Sequence, residues 1–469
     1  MKDKIRKITA FTAAVTLMFG AVSCGKTENE EISDSQERSE SSESSSSEKA
    51  VIKVANIATQ RGEFLNKAKG FETDKYTVDF VNYLENAETE ADDGEDIDAL
   101  ARETLQRDMI SGDCPDIIVS DGNFIMSIVD DGYFTDLYPL MDAGSVPRDA
   151  FLPNVLEGFE RDGKLPVIAS TFELRTAAAK TEFVGKEYEN WTLDEMSLIC
   201  ETLPENTQIL NIQHTKTDIP NFMLYKIIRD SVDFENNTCD FHSAFLDAFN
   251  FLDAHNIERN ISEMTETEQL EVYEREADGL KKGTALLSEI NISGINAHVG
   301  QQIYDDFGGA DITYVGYPNT DGCGAVTDTE TMQMYAILEN SDCKDGAWEF
   351  ICEFFNEGYL LSETVKMHGI PVIESVIDSA MEYNKWDSSS INAPFAQTLD
   401  GEVLSQIDEK SKQAIKDYIM SVEINPYFDT QLIHIAREEY LAVINGEKSP
   451  EEAADMLENR ISLYLSERG

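Results

Sequence analysis

The hydrophobic and polar positions along the chain follow two periods, that of a β-strand and that of an α-helix. β-Branched residues with partial alternation predict strands at 51–58 and 76–81. Residues 96–110 carry apolar side chains at helical spacing with acids in the first turn, and a short buried strand is predicted at 116–120. Further strands are predicted at 165–170, 173–180, 208–212, 284–290 and 312–315. Because strands alternate with helices, we predict an α/β fold with parallel-rich sheets flanked by helices.

Two helix starts carry a capping box, in which a Thr or Ser is followed three residues later by Glu. The boxes begin at Thr192 and at Ser449, and Pro450 stands at the first helical position, where a missing amide hydrogen costs little. The second box opens a stretch with an amphipathic pattern. We therefore predict a last helix over residues 451–466.

Residues 1–23 have the pattern of a signal peptide. Four cations precede an apolar run that is too short to be a permanent membrane span. The run ends in Ala21-Val22-Ser23-Cys24, which resembles the lipobox of bacterial lipoproteins, with Cys24 as the lipid-accepting residue. We expect an exported protein that is lipid-anchored to the outer face of the cell membrane. An ordinary secretory signal with a chance cysteine is the alternative.

Residues 24–50 are rich in Ser and Glu and almost free of apolar residues, so we expect a disordered tether. The 469-residue chain has 90 acidic and 37 basic residues, a formal net charge of −53. The tether carries −5 and the signal peptide +3, which leaves −51 on residues 51–469. A field of this sign repels phosphate groups and anionic lipids. We therefore expect no nucleic-acid partner and contact with the membrane through the lipid anchor only.

The sequence contains no motif of a known catalytic site. Its six histidines are scattered without an HExxH pair, and neither GxSxG nor GxxxxGK[ST] occurs. We therefore expect no enzymatic activity, no catalytic residues, no cofactor and no metal. A surface carbohydrate-active hydrolase is the alternative of another class, because the sequence cannot show which of 90 acids form a close pair.

Six cysteines remain besides Cys24, an even number that permits disulfides in an exported protein without requiring them. Their spacing does not choose among the pairings, and buried free thiols are the other interpretation. They are Cys114, Cys200, Cys239, Cys323, Cys343 and Cys352.

Several stretches, in order along the chain, resemble one family. SGDCPDII at 111–118 and GYFTDLYPLMD at 132–142 are similar to a stretch of the extracellular solute-binding proteins of ABC importers, especially the maltose-binding-protein-like group. Stretches at 191–196, 315–318, 368–372 and 446–453 resemble later landmarks of that family. The resemblance implies a two-lobe periplasmic-binding-protein-like fold of type II with a hinged cleft.

By this resemblance, lobe one comprises 51–168 and 326–372, and lobe two comprises 169–325 and 373–469. The cleft would capture a sugar or oligosaccharide, unchanged chemically, for delivery to ABC permease subunits. A peptide or another small polar solute is the alternative ligand.

Candidate ligand-binding residues follow strands or occupy positions similar to the family's cleft segments, and polar ones among them can hydrogen-bond to sugar hydroxyls. Ile292 stands where the family has a ligand-stacking Trp. Each candidate has another interpretation, since Asp121 and Asn123 could form an Asx turn and the Phe residues could fill a core. The candidates are Gln60, Arg61, Asp121, Asn123, Phe172, Asp218, Phe222, Glu289, Asn291 and Tyr427.

Overall fold

The computed structural model describes most of the chain beyond the predicted tether. The described residues are 49–57, 62–91, 96–185, 191–204, 207–210, 221–233, 236–255, 264–276, 278–294, 306–318, 324–328, 332–365, 369–382, 409–424 and 430–468. The predicted signal peptide, Cys24 and the tether as far as residue 48 lie outside these ranges.

Five strands, at 232–233, 238–239, 326–328, 333–337 and 370–371, lie outside the predicted segments, and the other eight agree with those segments to within a few residues, although the strand predicted at 165–170 is reduced to two residues. The described residues contain thirteen strands in all. They are β1 (Ala50–Asn56), β2 (Tyr76–Val81), β3 (Ile117–Asp121), β4 (Ile168–Ala169), β5 (Thr171–Lys180), β6 (Gln208–Leu210), β7 (Val232–Asp233), β8 (Thr238–Cys239), β9 (Ala285–Ile292), β10 (Ile312–Tyr314), β11 (Val326–Asp328), β12 (Gln333–Ile337) and β13 (Ile370–Pro371).

Helices separate most of the strands. They are α1 (Gly62–Lys69), α2 (Tyr83–Glu90), α3 (Ile97–Ser111), α4 (Gly122–Ser127), α5 (Tyr138–Ala143), α6 (Pro153–Phe159), α7 (Thr181–Val184), α8 (Leu193–Thr202), α9 (Asn221–Ser231), α10 (His242–His255), α11 (Glu266–Glu276), α12 (Gly279–Lys282), α13 (Lys344–Cys352), α14 (Glu357–Val365), α15 (Glu374–Glu382), α16 (Glu409–Ser421), α17 (Thr430–Ile444) and α18 (Pro450–Arg468). Among the described residues, no helix is both long and apolar enough to cross a bilayer.

The first sheet has the strand order β2-β1-β3-β12-β4. β1 pairs in parallel with β2 and β3, as the alternation of strands and helices predicts. β12 comes from much later in the chain and pairs antiparallel with both β3 and β4, so the sheet is mixed. The carboxyl ends of β1 and β3 and the beginning of β12 therefore meet at one edge.

The second sheet has the strand order β10-β5-β9-β6 and is built around the ten-residue strand β5. Only one residue, Ser170, separates β5 from β4 of the first sheet. β5 pairs antiparallel with β9 and β10, whereas β9 and β6 are parallel. β11 and β13 also pair with β5, so three separate chain segments beyond residue 300 reach this strand.

Buried apolar side chains form two clusters. The first surrounds the first sheet, extends to one face of the second, and includes Trp348. α15 and α16 contribute to this cluster, whereas α17 and α18 contribute to the second cluster, on the other face of the second sheet. The predicted lobe boundaries stay a prediction.

Both predicted capping boxes are present. The hydroxyl of Thr192 accepts from the amide of Glu195, and the Glu195 carboxylate accepts from the amide of Thr192. Ser449 and Glu452 make the same pair of hydrogen bonds at the start of α18. Each box satisfies amides that would otherwise lack partners in the first helical turn.

Candidate functional site

Polar side chains gather at the edge of the first sheet where β1 and β3 end and β12 begins. Gln333 lies opposite Asp121 in the antiparallel pair, and Asn56 is in register with Val119. The Oδ1 atom of Asn56 and the Nε2 atom of Gln333 are buried and have no hydrogen-bond partner among the described residues. Because buried polar atoms are normally paired, this edge has unused capacity to hydrogen-bond.

Asp121 at this edge already has structural partners. It is the N-cap of α4, and its Oδ1 accepts from the amide of Phe124 at 3.1 Å. Its Oδ2 accepts from Nη2 of Arg102 at 2.9 Å, and the Arg102 guanidinium carbon lies 5.6 Å from the centroid of the Phe124 ring. The Asx-type bond that the sequence analysis considered is thus present. Asn123 lies half-buried in the first turn of the same helix.

A second polar group lies on one face of the second sheet. In the antiparallel pairing of β5 with β9, Arg175 is opposite Asn291 and Ala177 is opposite Glu289. Residues that are directly opposite in an antiparallel pair project to the same face, and diagonal neighbours are within reach of long side chains. Arg175, Glu289 and Asn291 therefore share a face, which we call the β5–β9 polar face.

Two tyrosines from other segments close over the β5–β9 polar face. Nη1 of Arg175 donates to the hydroxyl of Tyr225 on α9 at 3.4 Å, and the ring of Tyr225 lies 5.3 Å from that of Tyr317. The side chain of Tyr317, which follows β10, hydrogen-bonds to Glu289. The face thus combines a guanidinium, a carboxylate, an amide and two phenols.

Burial governs the titration of these groups. It raises the pKa of Glu289 above its usual range, while the hydrogen bond from Tyr317 and the charge of Arg175 act in the opposite direction. Burial also raises the pKa of Tyr317 well above its ordinary value, so this phenol keeps its proton at neutral pH. Tyr317 can therefore serve as a hydrogen-bond donor on this face.

The remaining predicted ligand-binding residues are not brought together by the described structure. Phe172 is 1% exposed and packs in the first core, so a ligand could contact its ring only after local rearrangement. Phe222 lies in the first turn of α9, and its side chain is outside the described part. Four others lie outside the described residues: Gln60, Arg61, Asp218 and Tyr427.

Sequence reasoning did not identify Tyr225 and Tyr317 as part of the site. Tyr225 stands three residues after Phe222, a spacing that puts both on one side of a helix, and this signal could have found it. Tyr317 lies in one of the stretches that resemble the solute-binding family, but its contact with Glu289 depends on the pairing of distant strands.

The described residues contain no group of three or more His, Cys, Asp or Glu side chains that could hold a metal ion. The five cysteines among the described residues are free thiols, and Cys323 lies outside the described residues. Burial raises the pKa of Cys200 to about 12 and that of Cys352 to about 11, so both stay protonated and unreactive at neutral pH.

No family model matches the chain, and no curated protein matches it. Solved structures do. An extracellular solute-binding protein of family 1 from Alicyclobacillus acidocaldarius is 13% identical with a TM-score of 0.54, and the match covers 89% of this chain and 98% of that one. The sugar-binding protein MalE from Xanthomonas citri is 13% identical with a TM-score of 0.52 over the same shares of the two chains.

A periplasmic oligogalacturonide binding protein from Yersinia enterocolitica is 14% identical with a TM-score of 0.53, and the match covers 89% of this chain and all of that one. At sequence identities of 13–14%, the structural similarity to these three proteins establishes the fold alone. The chain has the α/β fold of type II periplasmic binding proteins, as the sequence resemblance implies, and the similar proteins named here are binding proteins.

Proposed function

We propose that this protein is the substrate-binding lipoprotein of an ABC importer and captures a sugar or oligosaccharide between two lobes. The observation that carries the proposal is the β5–β9 polar face, which presents hydrogen-bonding groups beside two phenol rings in a type II binding-protein fold. Sugars offer many hydroxyls, which the guanidinium, carboxylate and amide of this face can bind. A sugar ring could stack on either phenol only after local rearrangement, because both tyrosine side chains are buried.

Two polar surfaces on different sheets suit a ligand that is held from both sides. The edge of the first sheet offers Asn56, Gln333 and Asn123, and the β5–β9 polar face offers Asn291 and Glu289. A ligand that contacts both surfaces favours a conformation in which they approach each other. Such a closed state is what membrane permeases of an importer would recognise.

Export and lipid anchoring belong to the same proposal. The signal-like residues 1–23, the lipobox-like cysteine Cys24 and the polar tether would hold the binding domain at the outer face of the membrane, close to the permease subunits. Mass spectrometry of the membrane-bound protein tests this part. A diacylated Cys24 at the mature N-terminus is the expected result, and a free N-terminus elsewhere contradicts it.

The principal test is a thermal-shift screen of the full chain against neutral and acidic oligosaccharides, peptides and other small polar solutes. Binding of a sugar raises the melting temperature by mass action. A ligand concentration of about 100 times the dissociation constant adds about 2.7 kcal/mol to the free energy of unfolding. Chromatography of each sugar that stabilises the protein should show no shorter products. Cleavage would support a hydrolase instead, and stabilisation by peptides alone would contradict a sugar ligand.

Substitution of two asparagine side chains tests where the sugar binds. Asn291→Ala and Asn123→Ala should each weaken sugar binding by about tenfold, because each substitution removes hydrogen bonds worth about 1 kcal/mol or more. Asn86→Ala is the matched control, since Asn86 is exposed on α2. Titration calorimetry measures all three. Unchanged affinity in both site variants would show that the ligand binds elsewhere.

A further inference from the structure

We propose that the site selects uncharged sugars over acidic ones, because the cations of its two polar surfaces already face carboxylates of this chain. This inference rests on the proposed function, and it specifies that the sugar ligand is uncharged. It concerns the described residues of the first-sheet edge and of the β5–β9 polar face.

At the edge of the first sheet, the cation is Arg102. Its Nη2 atom is 2.9 Å from Oδ2 of Asp121, whose side chain is only 15% exposed. The other oxygen of the same carboxylate is held by the amide of Phe124. An acidic ligand would have to displace Asp121 from Arg102, which would leave a largely buried carboxylate without this counter-charge.

On the β5–β9 polar face, the cation is Arg175. Its counter-charge is Glu289, which lies diagonally across the pair of strands, on the same face. The Arg175 guanidinium is also bonded to the hydroxyl of Tyr225, and Tyr317 binds the Glu289 carboxylate. The guanidinium is thus held by one neutral phenol and the carboxylate by another, and the charge of Arg175 acts on Glu289 across the face.

A third carboxylate lies on the same face of β5 as Arg175. Glu173 lies two residues before Arg175 on β5, so both side chains project to the same face of the strand, and Glu173 is 8% exposed. The described residues of the two surfaces thus carry three carboxylates and two guanidinium groups.

The physical consequence is a difference between two kinds of sugar. The hydroxyls of a neutral sugar can donate to the carboxylates and accept from the guanidinium groups without disturbing either pair. Among the described residues of the two surfaces, the cations that the carboxylate of a uronic acid would meet already face Asp121 and Glu289. These two carboxylates repel it, so the loss of its hydration is not compensated. The preference for neutral sugars therefore comes from the repulsion of acidic ones by the carboxylates of the site.

The experiment compares sugars that differ only at carbon 6, where one member has a hydroxymethyl group and the other a carboxylate. Galactose and galacturonate oligomers of equal length and linkage form one pair, and glucose and glucuronate oligomers form another. Titration calorimetry of the full chain at neutral pH should show about tenfold or greater preference for the neutral member of any pair that binds. Methyl esterification of an acidic oligomer removes its charge and should restore binding.

Glu289→Gln tests the role of the counter-charge. Removing this carboxylate takes away one negative charge from the face that carries Arg175, so the preference for the neutral member should fall by about tenfold or reverse. Glu271→Gln, at an exposed position on α11, makes the same change in net charge and should leave the preference unaltered.

The outcomes separate the two proposals. Tighter binding of the acidic member by the unaltered protein overturns the charge selectivity while the sugar-binding function stands. An unchanged preference in Glu289→Gln, with neutral sugars still bound, shows that Glu289 does not set the selectivity and also overturns it. Failure of every sugar to bind contradicts the proposed function, and the inference then falls with it.

Discussion

Glu289 shows how one side chain can combine a structural cost with a recognition role. The carboxylate is carried into a largely buried position by β9, between the hydroxyl of Tyr317 and the charge of Arg175. Burial outweighs these two favourable contacts, and its net effect is to raise the pKa of Glu289. The binding role that we propose for Glu289 would explain why an acid is kept here at the expense of stability.

This balance predicts how stability depends on pH. An unfolded chain loses the Glu289 proton near the ordinary value of 4.5, whereas the folded protein loses it at a higher pH. The folded state is thus destabilised relative to the unfolded state as pH rises from 4.5 through the folded pKa. Because Gln does not titrate, Glu289→Gln should gain stability over the unaltered protein across this interval.

Melting temperatures recorded in the absence of ligand from about pH 4 to pH 7 check this prediction. The difference between Glu289→Gln and the unaltered protein should be smallest at the acid end and should increase with pH. Glu271→Gln is the matched control and should follow the unaltered protein. A difference that shrinks with rising pH would mean that the contacts with Tyr317 and Arg175 outweigh burial.

The polar residues of the site were predictable only in part. Glu289 and Asn291 could be nominated because they end a strand and stand near a family landmark, and the structure brings them onto one face with Arg175. The opposing tyrosines were not predicted, because they belong to segments about 60 residues before and 30 residues after β9. Contacts between distant segments have no periodic signal in the sequence.

At the scale of elements, the sequence motifs that depend on neighbouring residues predicted the structure reliably. The capping boxes at Thr192 and Ser449 are present because each depends on residues three positions apart. The direction of β12 depends instead on where the chain returns to the first sheet, and its antiparallel pairing with β3 could not be read from its own residues.

One contact between elements leads to a prediction about α6 and α16. Gly158 on α6 lies so close to the segment after α16 that an added Cβ would be 2.3 Å from the carbonyl oxygen of Ile424. Gly158→Ala should therefore force the two segments apart and cost about 1–3 kcal/mol, despite the higher helix propensity of Ala. Thermal unfolding of the full chain measures the loss.

Gly358→Ala is the control for this substitution. Gly358 lies in the first turn of α14, and an added Cβ would come no closer than 3.5 Å to the side chain of Asn356. This variant should be neutral or more stable by up to about 1 kcal/mol. If both variants melted at the same temperature, the close approach of Gly158 to Ile424 would not matter for stability.

At the scale of the whole molecule, α16 contacts the second sheet and helix α6. The hydroxyl of Tyr418 on α16 shares a hydrogen bond with Thr176 of β5, and its ring stacks on Tyr314 of β10 at 4.6 Å. At the same carboxyl-terminal end of α16, the Asn154 side chain of α6 donates to the carbonyl oxygens of Ile419 and Val422, each at 2.8 Å. The helix thus connects elements that pack on the first sheet with strands of the second.

The net charge is the second property of the whole molecule, and it predicts a response to salt. Residues 51–469 carry −51, and like charges on one folded body repel each other more than they do in an expanded chain. Salt shortens the screening length from about 30 Å at 0.01 M to about 8 Å at 0.15 M. Sodium chloride over this interval should therefore raise the melting temperature of the full chain at pH 7.

The same measurement near pH 4.2 is the control, because the net charge of the sequence vanishes there. Salt then has little net repulsion to screen, and its effect on the melting temperature should be much smaller than at pH 7. An equal rise at both values would indicate a specific stabilising effect of the ions. A fall at pH 7 would mean that individual ion pairs, such as that of Glu439 with Arg460, contribute more than the repulsion does.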